Sequence, residues 1–328
     1  LYFIAFICSI YRCNQSDDKL ISKVTACARG IYFKNTLIED EEFNVLNYPY
    51  FYNGGGVAVG DINNDGLTDV FFTGNMVKNR LYLNKGNFEF EDITEKSSVA
   101  DNQGWCTGAT MADVNADGWL DIYVCRSADA DPLKRKNLLF INNHDNTFTE
   151  QAEKYGIGDN GYSTHAAFFD YDKDNDLDLV VINHSLKQYM TGLLDRPGIR
   201  LQTKPEFSTH LYRNDNIWYT NVTDSAGITS NVLSFGLGVA VSDLNNDGWP
   251  DLYISNDFNE ADYCFINQKN GTFKEMSREM FSYTSLFSMG NDAADINNDG
   301  WADIITLDML PEGNYLQKMH NGSENFDK

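Results

Sequence analysis

The sequence predicts an all-β fold, a β-propeller of four-stranded blades, on three observations. A nine-residue acidic motif recurs five times. Strand-like runs flank every copy, and two more follow in the first four units. The composition supports a packed core, with 42% hydrophobic residues, 21 Phe and 18 Tyr in 328 residues.

The motif reads D-x-[DN]-x-D-[GN]-x-x-D. Its copies are DINNDGLTD (61–69), DVNADGWLD (113–121), DYDKDNDLD (170–178), DLNNDGWPD (243–251) and DINNDGWAD (295–303), with first-Asp spacings of 52, 57, 73 and 52 residues. A short run precedes each copy (GVAVGD, GATMAD, HAAFFD, GVAVSD, GNDAAD) and a second follows it (DVFFTG, DIYVCR, DLVVIN, DLYISN, DIITLD). A third run ends at Asn84, Asn142, Asn214 and Asn267, and a fourth comes after it, as in FEFEDIT and IWYTNVT. These runs are short, rich in Val, Ile, Tyr and Phe, and bounded by Gly, Asn and Asp, which is strand chemistry. Four strands in each unit of about 50 residues read as a propeller blade. The third spacing exceeds the first by 21 residues, and so does Asp178 to Leu211 over Asp69 to Leu81. One insertion between the second and third strands of the third blade accounts for the whole excess.

At the start, KVTACARGI (23–31) is similar to NVTDSAGI (221–228), a fourth strand and its turn. Such a strand is expected to complete the last blade and remove its free edge. The fifth unit has few residues after Ile305, and the chain does not begin with Met, so truncation at both ends is expected. LYFIAFICSI is too short to span a bilayer. It resembles the apolar centre of a secretory signal, and the polar run after Cys13 suits a lipid anchor at that residue. Residues 1–20 are therefore read as a partial signal or anchor with a polar linker, and 21–328 as the propeller. Cys106, Cys125 and Cys264 fall in strands and are expected to be buried free thiols.

Crowded carboxylates repel one another unless a cation sits among them. In the first loop Asp61, Asn63 and Asp65 alternate, so a curling loop turns them inward. Gly66 permits the sharp turn, Leu67 offers its backbone carbonyl and Asp69 closes the shell. The same positions are Asp113, Asn115, Asp117, Trp119 and Asp121 in the second loop, and Asp170, Asp172, Asp174, Asp176 and Asp178 in the third. They are Asp243, Asn245, Asp247, Trp249 and Asp251 in the fourth, and Asp295, Asn297, Asp299, Trp301 and Asp303 in the fifth. Asn175 replaces Gly in the third loop, which the left-handed tolerance of Asn allows. Hard oxygen ligands in this number suit Ca²⁺, up to five structural ions, and the loops hold no Cys or His for zinc. An EF-hand needs Glu at position twelve and flanking helices; here position twelve is Phe72, Val124, Val181, Ile254 or Thr306, between strands.

With these residues in view, the units resemble FG-GAP (VCBS-type) repeats, as in integrin α heads. Phe235-Gly236 followed by GVAVSDLNNDGWPD is close to that motif. The stretch from Tyr50, YFYNGGGVAVGDINNDGLTDVFFTGNMVKNRLYLN, is similar to exported bacterial proteins of the ASPIC/UnbV-associated group. The resemblance implies seven blades and calcium held by these loops, although five units are visible and no ASPIC/UnbV segment is found.

A net charge of −23 disfavours nucleic acid and anionic membranes. The expected function is an exported, cell-surface or outer-membrane-associated module, non-catalytic, that binds a protein or glycan. Candidate contacts are Lys187, Arg196, Arg200 and Lys204 in the insertion (183–210), with a second basic cluster in SADADPLKRKN (127–137). The alternative is a polysaccharide-acting hydrolase or lyase. Against it, the five His are scattered, and His165 reads as a packed polar residue. Turnover lost on changing His184 or His210 would favour it.

Overall fold

The computed structural model describes residues 25–309 except 42, 101–102, 187–197, 259 and 286. Lys187, Arg196, Cys13 and the signal-like run lie outside the described residues. Four antiparallel four-stranded sheets follow one another along the chain, each in simple sequential order. The first holds β1 (Val57–Gly60), β2 (Asp69–Phe72), β3 (Arg80–Asn84) and β4 (Phe90–Asp92). The second holds β5 (Trp105–Ala112), β6 (Asp121–Ser127), β7 (Leu138–Asn142) and β8 (Phe148–Glu150). The third holds β9 (Ser163–Phe169), β10 (Asp178–Asn183), β11 (His210–Asp215) and β12 (Trp218–Asn221), and the fourth β13 (Gly236–Ser242), β14 (Asp251–Asn256), β15 (Tyr263–Asn267) and β16 (Phe273–Glu275). A fifth sheet pairs β17 (Ser288–Ala294) with β18 (Asp303–Asp308).

The sheets stack face to face, with β1, β5, β9, β13 and β17 in successive contact. Every residue of β6, β10 and β14 is buried, because the middle three sheets have a neighbour on each face. Apolar clusters fill the gaps. Phe71 and Leu81 meet Ile122 and Phe140, Tyr123 and Leu139 meet Leu179 and Tyr219, and Val180 and Leu211 meet Leu252 and Phe265. β1 and β18 at the two ends of the stack leave Val57, Val59, Ile305 and Leu307 exposed.

The first strands converge closely at the end away from the acidic loops, and glycine makes that approach possible. A Cβ on Gly56 would stand 2.6 Å from the Thr107 carbonyl oxygen, and one on Gly108 2.5 Å from that of Thr164. Hydroxyls tie the sheets there: Thr107 Oγ1 donates to the Ser163 carbonyl at 2.7 Å and Thr164 Oγ1 to that of Gly236 at 2.8 Å.

Residues 26–29 form a 3₁₀ turn ending at Gly30, which has φ of 88°. Gly30 abuts the backbone of Phe90 in β4, as Gly156 abuts Tyr219 in β12 and Gly227 abuts Phe273 in β16. The likeness of 23–31 to 221–228 therefore reflects a shared position: this turn sits on the first sheet where the preceding unit's turn sits on the third and fourth. Residues 23–24 of the expected strand lie outside the described residues.

Tyr48, Tyr50 and Phe51 pack with Trp105 and Phe235 into a separate aromatic cluster at the far end of the stack. Burial of this segment is not foreshadowed by any strand or helix period. Cys106, Cys125 and Cys264 are buried free thiols, and Cys27 is exposed. Among the described residues no helix is long and apolar enough to cross a membrane.

Candidate metal-binding loops

Each acidic nonapeptide is the hairpin connection between the first and second strands of its sheet. Its ends pair as Gly60 with Asp69, Ala112 with Asp121, Phe169 with Asp178, Ser242 with Asp251 and Ala294 with Asp303. All five curl the same way because two residues enter the left-handed region. The sixth position does so as expected, with φ of 84° at Gly66 and 74° at Asn175. The fourth does too, at Asn64, Ala116, Lys173, Asn246 and Asn298 (φ 56–60°). That second left-handed residue was not foreseen. Asn at this position in three of the five loops is the signal for it.

The curl turns the carboxylates onto backbone N–H groups. In the second loop the Asp113 carboxylate accepts from Asp117 and Gly118 N–H at 3.0 and 2.8 Å, and Asp117 Oδ1 accepts from Trp119 N–H at 2.9 Å. Asp121 accepts from Val114 N–H at 3.1 Å and Asn142 N–H at 2.8 Å, which clasps the hairpin to the third strand. The other loops repeat the scheme: the ninth-position Asp69, Asp178 and Asp251 accept from Asn84, Asn214 and Asn267 N–H at 2.8, 2.9 and 2.8 Å. Asp303 accepts from Ile296 N–H at 3.1 Å.

Burial opposes ionisation of the ninth position, only partly offset by these donors, and neighbouring carboxylates push the same way. Asp121 is pushed up to about 7, Asp178 to about 8 and Asp251 to about 6, and Asp69 is raised as well. In the third loop burial, then Asp174, push Asp176 up to about 6. These backbone donors do not satisfy that loop. Asp172 Oδ1 and Asp176 Oδ1 are buried and have no hydrogen-bond partner. Asp170, Asp172 and Asp174 can present oxygens within 4.8 Å of one another. An all-oxygen donor set with two orphaned carboxylate oxygens fits a hard divalent cation.

Neighbouring loops are linked along the rim. Asn64 Nδ2 donates to the Gly118 carbonyl at 3.0 Å, and Asn246 Nδ2 to that of Gly300 at 2.9 Å. Asn142 Nδ2 reaches the Ile62 carbonyl and Asn267 Nδ2 that of Tyr171, both at 2.8 Å. Lys173 Nζ lies 4.8 Å from the Trp249 ring.

The basic candidates are placed differently. Arg200 pairs with Glu260, which also accepts from Asn231 Nδ2 at 2.7 Å. Buried Ile199 packs with Val232 and Leu233, so this part of the insertion is anchored to the chain leading into the fourth sheet. Lys204 Nζ lies 5.2 Å from the Phe207 ring. In the 127–137 cluster Arg135 is buried over the Tyr162 ring and donates to the Asp129 and Ala130 carbonyls, Lys134 pairs with Asp129 and Lys136 with Glu153. That cluster is largely neutralised internally.

Two histidines have polar partners. His184 Nδ1 donates to the Ser185 carbonyl at 2.8 Å, leaving Nε2 to accept from Ser127 Oγ at 3.0 Å and Tyr48 O–H at 3.3 Å, and burial pushes the ring down to about 4. Ser127 and His184 are fully buried. His210 Nδ1 lies 2.5 Å from Asp159 Oδ2, which also accepts from Tyr212 O–H at 2.8 Å. His165, on β9, has its pKa lowered by burial.

A family model described as FG-GAP-like repeat matches residues 48–124, 128–181 and 243–306. Among curated relatives, cartilage acidic protein 1 of Xenopus tropicalis is 29% identical over 206 residues, covering 62% of this chain and 29% of that protein. Integrin alpha-6 of Gallus gallus is 38% identical over 82 residues, 22% of this chain and 8% of the integrin. The chain thus spans less than a third of the length of these relatives. A solved structure of an Agrocybe aegerita lectin that recognises non-reducing terminal N-acetylglucosamine aligns with a TM-score of 0.42 at 18% identity, covering 76% of this chain and 59% of the lectin.

Proposed function

The chain belongs to the FG-GAP-like repeat family, and from that premise we propose an exported, calcium-stabilised propeller module that binds a protein or glycan without catalysis. The observation that carries the calcium reading is the third loop, where two buried carboxylate oxygens lack any partner inside an acidic curl built five times over. The first, third, fifth and ninth side chains of each loop hold one Ca²⁺, with the backbone carbonyl of the seventh residue. The ion supplies the positive charge that these hairpins otherwise lack. Kinship with exported ASPIC/UnbV-associated proteins, and a lipid anchor at Cys13, belong to the same proposal.

The partner surface is the third-blade insertion, supported by its absence from the other blades and by Lys204, whose ammonium faces a ring rather than an acid. The non-catalytic reading is supported by the burial of Ser127 and His184, which leaves that hydroxyl no route to a substrate.

Calorimetric titration of Ca²⁺ into chelator-stripped protein, with melts before and after, tests the core of the proposal. Several bound ions and a large rise in Tm are expected; no binding and no stabilisation would overturn it. A pull-down that survives loss of the insertion would move the partner surface elsewhere, and turnover on a glycan panel would restore the enzyme alternative.

A further inference from the structure

The five loops are not equivalent. Each third strand ends in an Asn whose side-chain Oδ1 accepts a backbone N–H just beyond it: Gly86, His144 and Lys269 at 2.9, 2.9 and 2.8 Å, and Ile217 at 2.8 Å. The second residue after that Asn is left-handed in every case, with φ of 87° at Gly86, 67° at His144, 58° at Asn216 and 62° at Lys269. One local turn therefore holds one variable side chain beside each of the first four loops, and its identity decides what the fifth-position carboxylate meets.

In the second loop it meets an imidazole. His144 Nε2 lies 3.0 Å from Asp117 Oδ2, and the ring stacks on Trp119 with centroids 4.8 Å apart and planes 19° apart. In the fourth loop it meets an ammonium: Lys269 Nζ lies 3.3 Å from Asp247 Oδ2 and 3.5 Å from the Asp247 carbonyl. In the first loop the position is Gly86, which offers no side chain, and in the third it is the neutral Asn216.

Resting on the calcium reading above, we infer that His144 and Lys269 are tethered competitors that occupy the fifth-position carboxylates of the second and fourth loops, so that the first and third loops load with calcium before them. A cation entering the second or fourth loop must displace a donor already seated on one of its ligands. A cation entering the third finds two oxygens with no partner. Loading is then graded, and the late sites answer to higher calcium.

The chain carries its own reporters for this order. The seventh residue is Trp119 in the second loop, Trp249 in the fourth and Trp301 in the fifth, but Leu67 in the first and Asp176 in the third. Trp-sensitised Tb³⁺ luminescence in a Trp301→Phe background thus follows the second and fourth loops, while calorimetry with the same ion counts all sites. Luminescence is expected to lag total uptake. His144→Ala with Lys269→Ala should move its midpoint to a roughly two- to fivefold lower concentration, the range for an exposed charge pair. Circular dichroism confirms that the variants are folded. Luminescence that rises with the first equivalents, or a midpoint unmoved in the double variant, would overturn the inference while leaving calcium binding intact. Absence of uptake by calorimetry would instead overturn the calcium reading itself.

Discussion

Asp172→Asn should change sign with calcium. Asp170, Asp172 and Asp174 present oxygens within 4.8 Å of one another, and Asp172 Oδ1 has no donor. At that separation two unit charges repel by about 1 kcal/mol in a water-like dielectric and about 3 kcal/mol at an effective value of 20. Removing one of the three charges from this half-exposed loop relieves two such pairs, so the metal-free protein should gain on the order of 1–3 kcal/mol. In saturating calcium the same change removes a charged ligand. If affinity at that site falls ~10- to 100-fold, the loss is about 1.4–2.7 kcal/mol through mass action. Thermal melts of wild type and variant, each in chelator and in excess calcium, make a four-way comparison. The variant should melt a few degrees higher in chelator and a few degrees lower in calcium. A shift of the same sign in both conditions would refute the view that this loop is a repulsive cluster held by a cation.

Metal-free stability should fall as pH rises from about 4 to 8. Burial raises the folded pKa of Asp251 to about 6, Asp121 to about 7 and Asp178 to about 8, so their contribution is full below the ordinary carboxylate range and is lost as pH climbs through those values. Urea midpoints against pH should show this slope in chelator and a flatter one in calcium; an upward slope in chelator would contradict it. Gly108→Ala places a methyl 2.5 Å from the Thr164 carbonyl oxygen, where backbone must move, and should cost about 1–3 kcal/mol by denaturant melts in calcium. Among the described cysteines a thiol reagent should label Cys27 in the native state, with Cys106, Cys125 and Cys264 reacting only on unfolding.

The blades were legible because two periods coincide: the alternation within each strand and the recurrence of the whole unit. DLVVIN and DLYISN read as buried middle strands and are wholly buried. The insertion is located by subtraction alone, and β10 and β11 indeed flank it. What escaped depends on contacts between units. Nothing local in SADADPLKRKN says that Arg135 will be buried over Tyr162. The segment around Tyr48 lacks period altogether, and its place is set by aromatic partners as distant as Phe235. Arg200 looked available for a ligand because Glu260, its partner, lies 60 residues away. The left-handed fourth position was hidden by Ala116 and Lys173, residues that carry no turn signal of their own.

The rim has a seam. Side-chain ties join the first loop to the second, the third to the fourth and the fourth to the fifth. Between the second and third, the fourth position is Ala116, and Asn214 Nδ2 turns back to the Leu177 carbonyl of its own loop. Among the described residues that junction is held instead by its apolar layer and, at the opposite end, by Thr107. Under load the array is therefore a stiff pair and a stiff triple joined by a compliant joint. A pull applied to the third-blade insertion would open the rim there first, since the joint lies directly beside the blade that carries it.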